Sequence, residues 1–142
     1  MKSIFNRSAH FYRNWFWVCL VLILTVSSIP RIPNPTLEFD SVDFEFRIDY
    51  FFHFLQYAVL ISLFMFWQIQ QKRQITIGII VFALLMGFLL GIADEVHQIF
   101  IPSRRFNPVD MTYNCIGVLT GVAFSYWYLN RVKKAVIEPS GK

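Results

Sequence analysis

Four long apolar stretches, separated by short polar ones, set the pattern of this chain. A helix crossing a bilayer needs about 20 predominantly apolar residues, and the stretches reach that length at roughly 12–29, 48–67, 75–100 and 109–129. The first has its apolar core at Trp15–Ile29 and is lengthened by Phe11 and Tyr12. A basic start, an apolar run and the small residues Ser27 and Ser28 also fit a cleaved signal peptide. Trp15, Phe16 and Trp17 instead form the aromatic anchor of a membrane interface, so a retained first helix is expected. The second stretch ends in the polar turn Gln68–Gln74. The third continues as a polar-faced helical turn until Pro102 stops it, and the fourth closes on an interfacial belt of Tyr126, Trp127 and Tyr128. Between the first two lies the longest connection, 30–47, where Pro30, Pro33 and Pro35 exclude regular structure. Leu37–Phe46 then alternates apolar with acidic residues, which predicts either an extended segment with one greasy face or a solvated loop. The expected architecture is all-α: a polytopic membrane bundle of four transmembrane helices in one domain, 1–142, with outer loops 30–47 and 101–108.

Composition sharpens this reading. Charged residues make up 15% of the chain against 56% hydrophobic, a balance rare in a soluble domain of 142 residues. The net charge of +4 does not point to nucleic acid, because Lys and Arg gather at helix ends. With both termini inside, the inner side carries Lys2, Arg7, Arg13, Lys72, Arg73, Arg131, Lys133, Lys134 and Lys142; the outer side has Arg31, Arg47, Arg104 and Arg105. Positive charge concentrates on cytoplasmic loops, so the expected topology is N-in/C-in, in a bacterial inner or plasma membrane. Cys19 and Cys115 fall near opposite faces, too far apart for a disulfide.

Ionisable side chains at membrane depth are costly and mark functional sites. Three stripes with helical spacing carry them to one depth. The second helix offers Asp49, His53 and Gln56 or Tyr57; the third Gly87, Gly91, Asp94, Glu95 and Gln98; the fourth Asp110, Asn114, Gly117 and Gly121. Small-xxx-small spacing lets membrane helices approach closely. Gly87 with Gly91, and Gly117 with Gly121, therefore predict a packing seam between the third and fourth helices. His97 lies off its helix's stripe and is expected to line the site or meet headgroups.

These residues resemble the VanZ-like membrane proteins. The similarity runs through Asp49, His53, Phe54 and Tyr57, then Asp94, Glu95, Gln98, Phe100, Pro102 and Arg104, then Asp110, Asn114, Gly117 and Gly121. Ser27-Ser28-Ile29-Pro30 is similar to the turn that follows the family's first helix. Tyr50 stands where the family pattern has lysine, so any role needing that cation falls to Arg47 or Arg104. The resemblance implies a helical envelope protein and an association with resistance to the glycopeptide teicoplanin. It brings no established reaction.

The chemistry therefore has several readings. In the first, the cluster binds an envelope lipid, a lipid-linked wall precursor or a lipoglycopeptide. Arg104 would meet an anionic headgroup, and Phe51, Phe52, Phe100 and Phe106 an acyl chain. Asp49, His53, Tyr57, Asp94, Glu95, Gln98, Arg104, Asp110 and Asn114 are the candidate ligand-binding residues. In the second, the protein is a hydrolase or transferase on lipid-linked phosphates. Glu95, Asp94, His53 and Asp110 are then the candidate catalytic groups, with Glu95 the first choice for proton donation. Carboxylates with one imidazole suit a divalent metal, Mg, Mn or Zn, the one cofactor the residues suggest. No metalloprotease spacing and no Ser or Cys nucleophile beside a His is present. In the third, Asp94 and Asp110 pair with Arg104 and Arg105, and the cluster is a structural network without a ligand. Ion transport is a weaker reading, since neither an internal repeat nor a broken helix pair is visible.

Overall fold

A computed structural model describes residues 8–30, 36–37, 46–72 and 74–137. In chain order these form α1 (Ala9–Ser27), β1 (Thr36–Leu37), β2 (Phe46–Arg47), α2 (Ile48–Lys72), α3 (Ile77–Gln98) and α4 (Pro108–Ile137). The four helices make the fold all-α. The strands are a two-residue antiparallel pairing, Thr36 opposite Arg47 and Leu37 opposite Phe46, that clips the ends of the long connection together just ahead of α2. Most of the alternating segment 37–46 lies outside the described residues.

The helices are apolar outside as well as inside. Val21, Leu22, Phe82, Leu85, Leu89 and Leu119 are each more than half exposed, a surface that suits hydrocarbon and not water. Three of the helices, α1, α2 and α3, are long and apolar enough to cross a membrane. The chain is a helical membrane protein. α4 does not reach that composition over its described residues: Thr112, Tyr113, Asn114, Thr120, Ser125 and Asn130 dilute its apolar positions. It also runs further than its apolar stretch, into the basic tail as far as Ile137.

α2 is the central element and packs most extensively on α4. Its Leu60, Ile61, Met65 and Ile69 are fully enclosed. α1 lies against α2, and its buried positions Tyr12, Phe16, Ile23 and Ser27 are four or seven residues apart on one helical face. Aromatic contacts fill that interface, with Phe16 5.9 Å from Phe64 and Tyr12 5.6 Å from Phe66 between ring centroids. Thr76 caps α3, its hydroxyl accepting the Ile79 N–H at 3.3 Å.

The glycines reveal a different seam from the one their spacing suggests. A Cβ at Gly117 would meet the Phe54 carbonyl oxygen and, at 3.1 Å, the Ala58 nitrogen; one at Gly121 would meet the Ala58 oxygen at 2.7 Å. The small-residue stripe of α4 therefore faces α2, backbone to backbone, and not α3. Gly87 and Gly91 of α3 instead make room for α4 side chains, Val118 at 2.8 Å and Asn114 at 3.3 Å. Spacing alone identifies a close-approach stripe without naming the partner helix. At the α2–α4 contact the Ser62 hydroxyl donates to the Ala58 carbonyl at 2.7 Å, with the Gly121 carbonyl 3.4 Å away.

Candidate functional site

The close α2–α4 approach draws His53 to Asn114. The His53 Nδ1 and Asn114 Oδ1 are 3.1 Å apart, and the Gln56 amide nitrogen is a weaker neighbour at 3.4 Å. The Asn114 oxygen is served by the tautomer that carries its hydrogen on Nδ1, and the Gln56 amide, a donor, by the other. Nε2 is directed toward Asp110, whose Oδ2 is 3.8 Å away. Tyr57, one turn deeper, is 1% exposed and fills the space between Gly91 and Gly117. Its ring packs beneath the site.

The end of α3 supplies the acids. Asp94, Glu95 and Gln98 are 1%, 0% and 2% exposed, and Asn114 of α4 is 0% exposed. Both Asp94 oxygens, Glu95 Oε1, Gln98 Nε2 and Asn114 Nδ2 are buried without a hydrogen-bond partner among the described residues. Buried polar atoms are almost always satisfied in folded proteins. A concentration of exceptions at one end of a bundle marks a place built to contact something other than itself. One ligand atom each from His53, Asp94 and Glu95 lies within 4.8 Å of the others, the spacing of a candidate metal site.

Local chain geometry aims these groups. After α3 the backbone tightens through Ile99→Val96, Phe100→His97 and Ile101→Gln98 hydrogen bonds and then reverses at Ser103, whose φ is 64°. The reversal brings Arg104 back over the helix end. Its Nε donates to the Ile29 carbonyl at 3.1 Å and its Nη1 to Gln98 Oε1 at 3.4 Å. Asn107 then begins α4 as its N-cap, its Oδ1 accepting the Val109 N–H at 3.0 Å, with Pro108 in the first helical position. The Asn107 N–H donates to Glu95 Oε2 at 3.1 Å and fixes that carboxylate.

The predicted residues thus separate. His53, Asp94, Glu95, Gln98, Asp110 and Asn114 gather at one end, with Tyr57 below and Arg104 at the rim. Asp49 lies in the first turn of α2, a favourable place for negative charge, and its carboxylate accepts the Tyr50 N–H at 3.1 Å. Arg105 is exposed and forms no ion pair among the described residues. His97 is half-buried beside the cluster. The Asp94–Arg104 ion pair of the structural-network reading is not formed, and the guanidinium donates to Ile29 and Gln98.

Two participants escape a reading based on stripes. Ser27 brings its buried hydroxyl against Asp94 without closing to hydrogen-bond distance, so the end of α1 walls the site. Asn107 is the other, and its signal was an Asn-Pro pair before an apolar run. Tyr50, in the position of the pattern's lysine, stacks on Tyr113 at 5.1 Å with a 7° interplanar angle, tying the start of α2 to α4. Cys19 and Cys115 are free thiols.

Neither the curated proteins nor the solved structures contain a match to the chain. A family model does match, over residues 3–129, and with helices and site residues in the order the pattern requires, the chain belongs to the VanZ/LLP1 family.

Proposed function

We propose that this membrane protein binds the polar headgroup of an envelope amphiphile at the end of the bundle formed by His53, Asp94, Glu95, Gln98, Asp110 and Asn114. The ligand class is an envelope lipid, a lipid-linked wall precursor or a lipoglycopeptide of the teicoplanin kind. All four helices span the bacterial plasma membrane with both termini cytoplasmic, which puts this end at the outer face. The unequal distribution of Lys and Arg supports that orientation.

The observation that carries the reading is the set of buried, unpartnered donors and acceptors on Asp94, Glu95, Gln98 and Asn114. Arg104 stands half-buried at the rim, a fork suited to a phosphate oxygen pair. Phe51, Phe52, Phe100 and Phe106 are 47%, 60%, 77% and 40% exposed, apolar surface for the acyl portion of the same molecule.

The test is titration of a short-chain lipid phosphate into the purified protein in detergent. Saturable binding is expected, weakened about tenfold or more in Arg104→Ala through loss of a charge-assisted contact. Binding that does not saturate, or that Arg104→Ala leaves unchanged, contradicts the reading. A second reading, hydrolysis or group transfer on a lipid-linked phosphate, is favoured by Glu95: one oxygen is held by Asn107 while the other is free to act. Turnover that disappears in Glu95→Gln distinguishes catalysis from binding in the same assay.

A further inference from the structure

We propose that His53, Asp94 and Glu95 form a divalent-cation site. One ligand atom from each lies within 4.8 Å of the others. Bonds of about 2.0–2.2 Å to Mg, Mn or Zn place two ligand atoms about 3.0–4.4 Å apart across the ion. Three atoms sharing one ion lie about 3.0–3.8 Å from one another, so the groups need to close by at most about 1–2 Å.

Three further observations point to a cation. Asp94 is 1% exposed with both oxygens unpartnered, and Glu95 is 0% exposed with Oε1 unpartnered. The Asp110 carboxylate adds a third acidic group, 3.8 Å from His53 Nε2. Arg104, the nearby arginine, directs its guanidinium to Ile29 and Gln98 instead of to these acids. Negative charge gathered in a low-dielectric setting calls for a counter-charge, and among the described residues no Lys or Arg forms an ion pair with Asp94 or Glu95.

The supporting groups fit coordination as well. In the tautomer in which Asn114 takes the Nδ1 hydrogen, Nε2 is open to an ion, and the Asn107 N–H holds Glu95 Oε2 while Oε1 has no hydrogen-bond partner. Metal ligands are commonly oriented by such outer hydrogen bonds. One carboxylate-rich, single-imidazole set suits Mg²⁺ or Mn²⁺, with Zn²⁺ as a competitor. A cation also gives an acidic pocket its attraction for phosphate; that consequence rests on the headgroup reading, whereas the cation site does not.

The experiment uses the full chain, stripped with a chelator and placed in zwitterionic nanodiscs. Mn²⁺ is titrated in, and the free ion is read by electron paramagnetic resonance. One Mn²⁺ per chain is expected, with affinity lowered at least about tenfold in Asp94→Asn and in Glu95→Gln. His53→Gln gives the same test should either variant fail to fold. The absence of saturable Mn²⁺ binding by the wild type overturns the site. So does stoichiometric binding that these substitutions leave unchanged. Lipid phosphate titration with and without EDTA separates the two claims. Lipid binding lost under EDTA supports the cation's role. Lipid binding that persists in a protein that takes up no Mn²⁺ overturns the cation site and leaves the headgroup reading intact. Saturable Mn²⁺ binding without any lipid binding keeps the cation site and overturns the headgroup reading.

Discussion

Gly117→Ala is expected to destabilise the bundle by about 1–3 kcal/mol, the usual range for overpacking a close contact, and toward its upper end. The added methyl would be driven against the Phe54 carbonyl oxygen and the Ala58 nitrogen. Both are backbone atoms of a helix, which no rotamer change can move aside, so α2 and α4 must separate. Gly87→Ala makes a useful contrast. Its methyl would meet the Val118 methyls at 2.8 Å and Ile61 Cδ1 at 2.9 Å, and the Ile61 end can swing away. Unfolding followed by helical signal in a denaturing detergent should therefore rank Gly117→Ala well below Gly87→Ala. The same substitution acts on the site, because Gly117 is one turn from Asn114. Spreading α2 from α4 lengthens the 3.1 Å His53–Asn114 contact and should weaken ligand binding along with stability. Equal stabilities for the two variants contradict the backbone-to-backbone seam.

Asp94→Asn should have the opposite sign. Measured in chelator and without added lipid, it is expected to stabilise the protein by about 1–3 kcal/mol, the scale of a buried polar group's desolvation penalty. The side chain keeps its shape, and a buried carboxylate whose oxygens have no hydrogen-bond partner becomes neutral. A structural network makes the reverse prediction: removing one partner of a satisfied buried pair destabilises strongly. The variant should also lose the rise in unfolding temperature that ligand or Mn²⁺ gives the wild type, since stabilisation by a bound species follows its affinity for the folded state. Stability exchanged for function is the expected behaviour of a site that holds charge for a ligand. Thermal unfolding of both proteins, with and without Mn²⁺, checks each sign.

Much of this was legible in the residues. The four helices follow from the four apolar runs, and three of them are long and apolar enough to cross a bilayer. The depth of the polar cluster follows from three stripes, because side chains three and four apart share a helical face. The partner of each small-residue stripe was not legible. Gly117 and Gly121 announce a close approach, but which helix approaches depends on the rotation of α4 about its axis, and α2 wins. Asn107 enters the site from a loop, where helical periodicity gives no direction, and Ser27 from the end of α1, a helix that carries no ionisable stripe. Arg104 reaches Ile29 only because the backbone reverses at Ser103. Long-range reversal of this kind is set by three-dimensional packing and leaves little trace in spacing.

The measurement closest to the central claim is photocrosslinking with a lipid phosphate that carries the reactive group near its headgroup, followed by mapping of the labelled peptides. A ligand site at the polar end predicts label concentrated in residues 94–114 and at the end of α1, removed by excess unlabelled lipid phosphate. Label spread over the exposed apolar faces of α1 and α3, and unaffected by competitor, would contradict it.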